Sequence, residues 1–190
     1  MSTTRADIVT AAERVFDRRG FTAAGMDQLT AAANVSSRTL YKHLGSKSGL
    51  IAVVLETRRT RFFTAFDVET VAALFSSLAS WTEAEGARGC LFLRAQGEGL
   101  AEDSSISSVV STYRRELHDL VRRIVRLETG RDDDELAEQI LVLFEGAVSA
   151  SSYHGTRAIR AAASAAEALV SLARRGSTHA PNDNTPKESR

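Results

Sequence analysis

The sequence predicts an all-α protein of about nine helices, in which a three-helix bundle with a helix-turn-helix precedes a larger helical domain. Apolar residues recur three and four positions apart along most of the chain, and the alternating pattern of strands is essentially absent. Both prolines fall within the last ten of the 190 residues, so neither interrupts an earlier helix. We expect the bundle at residues 1–46, the larger domain at residues 47–175 and a disordered tail at residues 176–190.

Charge is unevenly distributed along the chain, although the formal net charge is zero. Residues 1–66 hold ten Lys and Arg against five Asp and Glu, whereas residues 67–190 hold fourteen against nineteen. A basic amino-terminal third on an acidic remainder is typical of a DNA-binding module joined to a part with another function.

Three features of the sequence bear on the cellular compartment. The single cysteine, Cys90, cannot form an internal disulfide, which fits a reducing cytosol. No apolar run approaches the roughly 20 residues of a membrane span, and the first residues lack the apolar core of a signal peptide. We therefore expect a cytoplasmic protein that does not enter a membrane.

The first helix is predicted at residues 3–19, where five apolar residues share one face. These are Ile8, Ala11, Ala12, Val15 and Phe16. Thr4 and Asp7 have the spacing of a capping box, and Gly20 is a natural end. This helix is expected to pack across the next two, because two short helices cannot bury a core alone.

The next stretch has the pattern of two short helices joined by a tight turn. The helices are predicted at residues 26–33 and at about residues 37–43. Asn34 stands where the first must end in a left-handed residue, and Ser36 can cap the second. Leucines of the second helix face inward, which leaves its hydrogen-bond donors outside. A helix-turn-helix of this kind places its second helix in a DNA major groove.

A long fourth helix is predicted at residues 47–66, linking the bundle to the larger domain. Lys47 in its first turn opposes the helix dipole unless an anion such as a phosphate neutralises it. Five more helices are expected after it. Their ranges are about 67–84, 89–101, 105–128, 133–152 and 156–174.

Several residues of the amino-terminal part are shared with a known family. They are Ala11, Ala12, Phe16, Gly20, Phe21, Leu29, Ala33, Val35, Ser36, Leu40, Tyr41, Lys47 and Leu50. Through them, residues 5–52 resemble the tetracycline-repressor (TetR) family of bacterial regulators, and the order of the later helices agrees. Three positions depart from the usual pattern: Gly25 replaces Thr, Asn34 replaces Gly and Leu44 replaces Phe. Gly25 is therefore not counted among the phosphate contacts.

The resemblance implies a DNA interface centred on the second helix of the helix-turn-helix. The predicted interface is Ser36, Ser37, Arg38, Thr39, Tyr41, Lys42, His43 and Lys47. Tyr41, His43 and Lys47 would bind backbone phosphates, while residues 37–39 and Lys42 would lie nearest the base edges. The arginine among them can form a paired hydrogen bond to guanine. The alternative is that the tyrosine packs on the core and the others form an ordinary solvated face.

The resemblance also implies that the larger domain receives a small-molecule inducer between its fifth and eighth helices. The candidate lining residues are Trp81, Phe92, Gln96, Tyr113, His118, Phe144 and Tyr153. Aromatic residues at helical spacing are more often core, so packing is the alternative for each of them. A metal site formed by Glu98, Glu102 and His118 is not expected, because the spacing matches no ligand motif.

The last two helices, at about residues 133–152 and 156–174, carry many alanines and serines, which allow helices to approach closely. In the family these two helices form a four-helix interface in a homodimer, and we expect the same here. The alternative is that they complete the core of the monomer.

The combined expectation is a homodimeric repressor that a small-molecule inducer releases from a palindromic double-stranded DNA operator. The alternative function is a helical small-molecule carrier or an enzyme in which residues 67–175 act alone and the amino-terminal bundle is structural. Against catalysis, the sequence contains no phosphate-binding glycine loop, nucleophile elbow or metal-ligand spacing. We expect no cofactor.

Overall fold

The computed structural model describes residues 4–177, and in that range it contains nine α-helices, one short 3-10 helix and no strand. The all-α prediction is confirmed. The helices are α1 (Arg5–Arg19), α2 (Met26–Ala33), α3 (Ser37–Leu44), α4 (Lys47–Ala65), α5 (Val71–Glu85), α6 (Leu91–Gly97), the 3-10 helix (Leu100–Glu102), α7 (Ser104–Thr129), α8 (Asp134–His154) and α9 (Thr156–Ser177). The tail predicted at residues 176–190 lies outside the described residues from position 178 onward, whereas residues 176 and 177 belong to α9.

Local hydrogen bonds explain where the amino-terminal helices begin and end. The hydroxyl of Thr4 accepts from the amide of Asp7 at 3.2 Å, and the Asp7 carboxylate accepts from the amide of Thr4 at 2.8 Å, which completes the capping box. Asn34 ends α2 in the left-handed conformation, with φ of 52°. The Ser36 hydroxyl caps α3 by accepting from the amide of Thr39 at 3.2 Å. These local predictions are confirmed.

Two predicted helices of the larger domain were wrong in extent. The helix expected at residues 67–84 begins only at Val71, because the hydroxyl of Thr70 caps it by accepting from the amide of Ala73 at 3.1 Å. The helix expected at residues 89–101 divides into α6 and the 3-10 helix, because Gly99 between them adopts a left-handed φ of 76°. The chain after Cys90 therefore forms two short helices with a bend at Gly99 between them.

Helix α4 belongs to the cores of both halves of the molecule. It packs with α1 and α3 of the amino-terminal bundle and against α7 of the larger domain. There Phe62 stacks on Phe66 with ring centroids 4.0 Å apart, and Trp81 and Tyr113 meet Phe62 edge-on at 5.4 Å. Helices α8 and α9 pack along each other and against α5. Thus α4 connects the helix-turn-helix to the aromatic core of the larger domain.

Candidate nucleic-acid interface and adjoining cavity

Helix α3 presents a polar face to solvent. Leu40 and Leu44 are buried on the inner side of this helix, at 0% and 8% exposure. On the outer side Arg38 and Lys42 are exposed, and Tyr41 keeps 46% of its surface accessible although it is aromatic. A short helix with its leucines buried and its donors outside has the shape needed to enter a major groove.

The outward cations of α3 have no protein partner within residues 4–177. Arg38 and Lys42 make neither an ion pair nor a hydrogen bond there, and His43 is exposed as well. Many other arginines are paired; Arg59, for example, bridges Glu56 and Glu116. The α3 donors therefore remain available for phosphate oxygens and base edges. The remaining predicted contacts, Ser36, Ser37 and Thr39, lie at the amino end of the same helix, with Thr39 half-buried.

Lys47 lies beside this face but is held by the protein. Its ammonium donates to the backbone carbonyl of Thr22 at 3.3 Å, while Ser46 caps α4 by accepting from the amide of Gly49 at 2.9 Å. An ammonium has three donors, so two remain for an external anion. The bond fixes the first turn of α4 to the loop between α1 and α2.

The same loop is held from the other side by the larger domain. The amide of Thr22 donates to the carboxylate of Glu98, which follows α6, at 2.6 Å. In addition, the guanidinium of Arg94 donates to the carbonyls of Phe16 and Asp17 at 3.2 and 2.9 Å, satisfying carbonyls in the last turn of α1. Sequence reasoning missed these contacts, because more than 70 residues separate the partners.

A buried network of ion pairs joins α1 to α4. Arg58, at 5% exposure, donates to Glu13 at 2.8 Å and to Asp17 at 3.1 Å. Arg61 pairs with Glu13 at 2.7 Å and with Glu85 at 2.9 Å. Sequence reasoning also missed this network, although Arg58 falls on the apolar stripe of α4, an unusual place for a charge.

The two carboxylates of α1 respond differently to this environment. Burial acts to raise the pKa of Glu13, but hydrogen bonds from Arg61 and Arg58 outweigh it, so that this pKa lies below its ordinary value. Burial raises the pKa of Asp17 above its ordinary value, despite the attraction of Arg58. At neutral pH the charged carboxylate of Glu13 is therefore stabilised by the network more than that of Asp17.

A cavity of about 40 Å³ lies beneath this network in the larger domain. Its walls come from α4, α5, the start of α6, α7 and α8. The lining residues are Arg58, Phe62, Leu78, Trp81, Thr82, Gly86, Gly89, Cys90, Leu91, Phe92, Tyr113, Val148 and Ser151. Burial raises the pKa of both Cys90 and Tyr113. Of the sequence-predicted pocket residues, the cavity brings together Trp81, Phe92 and Tyr113.

The other four candidates lie elsewhere. Gln96 is exposed and accepts from Arg114, and His118 is half-buried on α7 with its Nδ1 3.8 Å from the Asp119 carboxylate. Phe144 is 1% exposed and packs edge-on against Phe66 and Phe75, so it is a core residue. Tyr153 is 72% exposed near the end of α8.

Helices α8 and α9 expose an apolar groove. Its walls are Glu138, Gln139, Val142, Leu143, Ala165, Ala168 and Leu169. Val142 keeps 61% of its surface exposed, and Leu172, one turn beyond the groove, keeps 58%. Exposed apolar side chains grouped on two neighbouring helices are typical of a protein contact surface.

Two further classes of site find no support in residues 4–177. No three His, Cys, Asp or Glu side chains come together there in a way that could hold a metal ion. Between the same limits, no helix combines the length and apolar character that crossing a membrane requires.

Known proteins contain a similar helix-turn-helix segment. Residues 8–54, which contain the helix-turn-helix, match the model for bacterial regulatory proteins of the tetR family. Curated proteins yield no significant match to the sequence.

Solved structures of TetR-family regulators share the fold over nearly the whole chain. One from Streptomyces coelicolor is 22% identical with a TM-score of 0.78, over 90% of this chain and 95% of its own. A regulatory protein TetR from Rhodobacter sphaeroides is 16% identical with a TM-score of 0.75, over 90% and 98%. A putative TetR transcriptional regulator from Streptomyces avermitilis is 24% identical with a TM-score of 0.68, over 88% and 99%. Residues 8–54 are therefore similar to the helix-turn-helix segment of bacterial regulatory proteins of the tetR family, and the chain shares the fold of solved TetR-family regulators.

Proposed function

We propose that this protein is a cytoplasmic repressor that binds a palindromic DNA operator as a homodimer and is released by a small molecule entering the cavity. One observation carries the proposal. Thr22 is bonded at once to Lys47, beside the recognition helix, and to Glu98, behind the helix whose first residues line the cavity. A ligand that displaces α6 therefore acts on a loop that positions a predicted phosphate contact.

In this proposal the exposed face of α3 reads the operator. Arg38 and Lys42 are unpaired within the described residues, so they can bind bases or phosphates without breaking a protein contact. Tyr41, His43 and Lys47 supply contacts to the DNA backbone, which determine affinity and its dependence on salt. Sequence preference comes from residues 37–39 and Lys42, which lie nearest the base edges in this proposal.

The dimer is proposed to form through the groove between α8 and α9. Two copies that cover each other's exposed apolar side chains, Val142 and Leu172 among them, would make a two-fold contact in which the same surface serves both protomers. Two recognition helices can bind successive turns of DNA only when they are about 34–36 Å apart. The dimer contact would thus set the spacing of the operator half-sites.

Release follows from linkage between the two sites. An inducer that binds better to a form with a different separation of the recognition helices lowers DNA affinity, and DNA lowers inducer affinity by the same factor. The cavity serves binding and not catalysis in this proposal.

An electrophoretic shift with the DNA upstream of its own gene, at several salt concentrations, tests the proposal. We expect retardation at low salt that weakens as salt rises. Arg38→Ala should reduce the preference for that DNA over an unrelated duplex, while Arg115→Ala, at an exposed arginine of α7, should change nothing. Absence of retardation at low salt, or equal behaviour of the two variants, would contradict the assignment of α3.

A further inference from the structure

We propose that the cavity selects a planar, mainly apolar molecule with a carboxylate group, and that this carboxylate pairs with Arg58 in competition with Glu13 and Asp17 of α1. The inference names the ligand class of the site proposed above and therefore rests on that function for its effect on DNA. Its chemical basis is the side-chain composition of the cavity.

Arg58 is the one charged residue among those that line the cavity. The thiol and the phenol on the same wall have raised pKa values, so both are neutral near pH 7. A buried cation in a wall of otherwise neutral side chains selects a ligand of opposite charge, because a charged hydrogen bond is about twice as strong as a neutral one. Glu13, Asp17 and Glu85 already lie close to Arg58 outside the cavity wall, so a ligand anion must compete with them for the guanidinium.

The guanidinium also has donors to spare. All of its hydrogen bonds to the described residues are made by Nη1, which donates to Glu13 and Asp17 and lies 3.5 Å from Glu85. Nε and Nη2 together carry three more N–H groups. No fully buried side-chain nitrogen of the described part lacks a partner, so these atoms retain contact with accessible space. The cavity is the space that Arg58 lines.

Aromatic rings form the rest of the site. Phe92 and Tyr113 stack with centroids 3.8 Å apart and planes 5° from parallel, and Trp81 lies beneath the guanidinium, whose central carbon is 5.5 Å from the ring centroid. Aromatic rings pair favourably with another ring in offset-stacked or edge-to-face contacts. Opposite an arginine, these walls complement a molecule with a planar body and a carboxylate at one end.

The volume of the cavity indicates that binding displaces side chains. About 40 Å³ holds little more than one water molecule, whereas small-molecule sites typically measure about 300–1,000 Å³. Arg58 stands between the cavity and α1, so a ligand that turns the guanidinium toward itself removes a partner from Glu13 and Asp17. Binding therefore weakens the contact that holds α1 on α4.

Fluorescence of the full chain without DNA tests the ligand class, because Trp81 is its single tryptophan. The probes are 3-phenylpropanoate and its neutral amide, 3-phenylpropanamide, which share a shape and differ in charge. We expect saturable change of Trp81 emission, with a dissociation constant at least about 10-fold lower for the acid. Equal or tighter binding of the amide, or no saturable response to the acid, would overturn the proposal.

Two variants test whether Arg58 is the residue that selects the acid over the amide. Arg58→Met should remove the preference for the acid but retain amide binding, whereas Arg59→Met, whose partners Glu56 and Glu116 lie outside the cavity, should retain the preference. Loss of preference in the second variant alone would also overturn the proposal. If Arg58→Met does not fold, the acid and amide titrations of the unaltered chain still decide. Operator binding is measured separately, so the ligand class can fail while the DNA-binding function holds.

Discussion

The amide of Thr22 donates a 2.6 Å hydrogen bond to the carboxylate of Glu98, a residue 76 positions further along the chain. The carbonyl of the same Thr22 accepts from Lys47. One loop residue is thus held by the segment behind the cavity and by the first turn of the linking helix. The two hydrogen bonds of Thr22 therefore link Glu98 to Lys47 through the peptide groups on either side of this residue.

Removing the Glu98 side chain should weaken DNA binding without removing any DNA contact. Glu98→Ala leaves the Thr22 amide without its partner and loosens the loop that positions Lys47, at a cost of about 1 kcal/mol, or roughly 5-fold in affinity. Fluorescence anisotropy with a labelled operator measures the change. Glu102→Ala, at an exposed residue nearby, is the matched control. Identical affinities for the two variants would show that the Thr22 contact does not position the loop.

The α1 carboxylates should differ in their contribution to stability. Glu13→Gln removes an ionised group that the fold stabilises and should lower the free energy of unfolding at pH 7 by about 2 kcal/mol. Asp17→Asn removes a charge that burial disfavours and should change it by no more than about 0.5 kcal/mol. Urea unfolding of both variants checks the order. A larger loss for Asp17→Asn would contradict the assignment of Glu13 as the carboxylate that the network stabilises more.

The effect of Glu13→Gln should also depend on pH. Because the pKa of Glu13 in the folded chain is lower than in the unfolded chain, its contribution is complete above the ordinary value of 4.5 and is lost as pH falls through the folded value. The raised pKa of Asp17 has the opposite effect on stability as pH falls, because protonation of this buried carboxylate removes its charge. The free energies of unfolding of Glu13→Gln and the unaltered chain, measured with urea, should differ less in the acid range than at pH 7. A difference that widened in acid would contradict the sign.

Introducing a threonine at position 25 should stabilise α2. Gly25 has φ of −72°, and a Cβ there would meet no atom within 4 Å, so Gly25→Thr fits and its hydroxyl can cap the helix. We expect a gain of a few tenths of a kcal/mol in unfolding free energy and tighter DNA binding through the added hydroxyl. Gly45→Thr, at φ of +73°, should instead lose about 1 kcal/mol. Thermal unfolding that destabilised both variants equally would refute the cap.

The groove between α8 and α9 should be sensitive to charge. Val142→Glu places a carboxylate on an exposed apolar surface that we assign to the dimer, and burying it there without a partner would cost several kcal/mol. Sedimentation should show monomers at concentrations where the unaltered chain is a dimer. Leu127→Glu, at another exposed apolar residue, on α7, is the control and should leave the dimer intact. Dissociation by the control alone would move the interface to α7.

Local patterns in the sequence predicted much of the amino-terminal part. The capping box at Thr4, the left-handed Asn34 and the cap at Ser36 depend on residues within three positions of each other, so a linear reading can find them. The order of the helices followed from periodicity. The break at Gly99 escaped, because a glycine inside a helical pattern does not by itself show whether the helix ends there.

The coupling contacts could not be predicted in the same way. Arg58 meets Glu13 and Asp17 across 45 and 41 positions, and Glu98 meets Thr22 across 76. Such pairs exist only after α1 has packed on α4 and α6, so no spacing rule gives them. The cavity illustrates the same limit, since periodicity alone could not separate Phe144, a core residue, from Phe92, a cavity residue.

A hydroxyl-radical footprint on a duplex selected for binding tests the central claim most directly, because it records where the protein lies on the DNA. The account predicts two protected patches on one face of the duplex, centred about 34–36 Å apart. Arg38→Ala should make the boundaries of both protected patches less distinct, because it removes a contact to the bases that fixes the protein at one position on the duplex. A single patch, or no protection at low salt, would contradict the assignment of this chain as a dimeric reader of a two-fold operator.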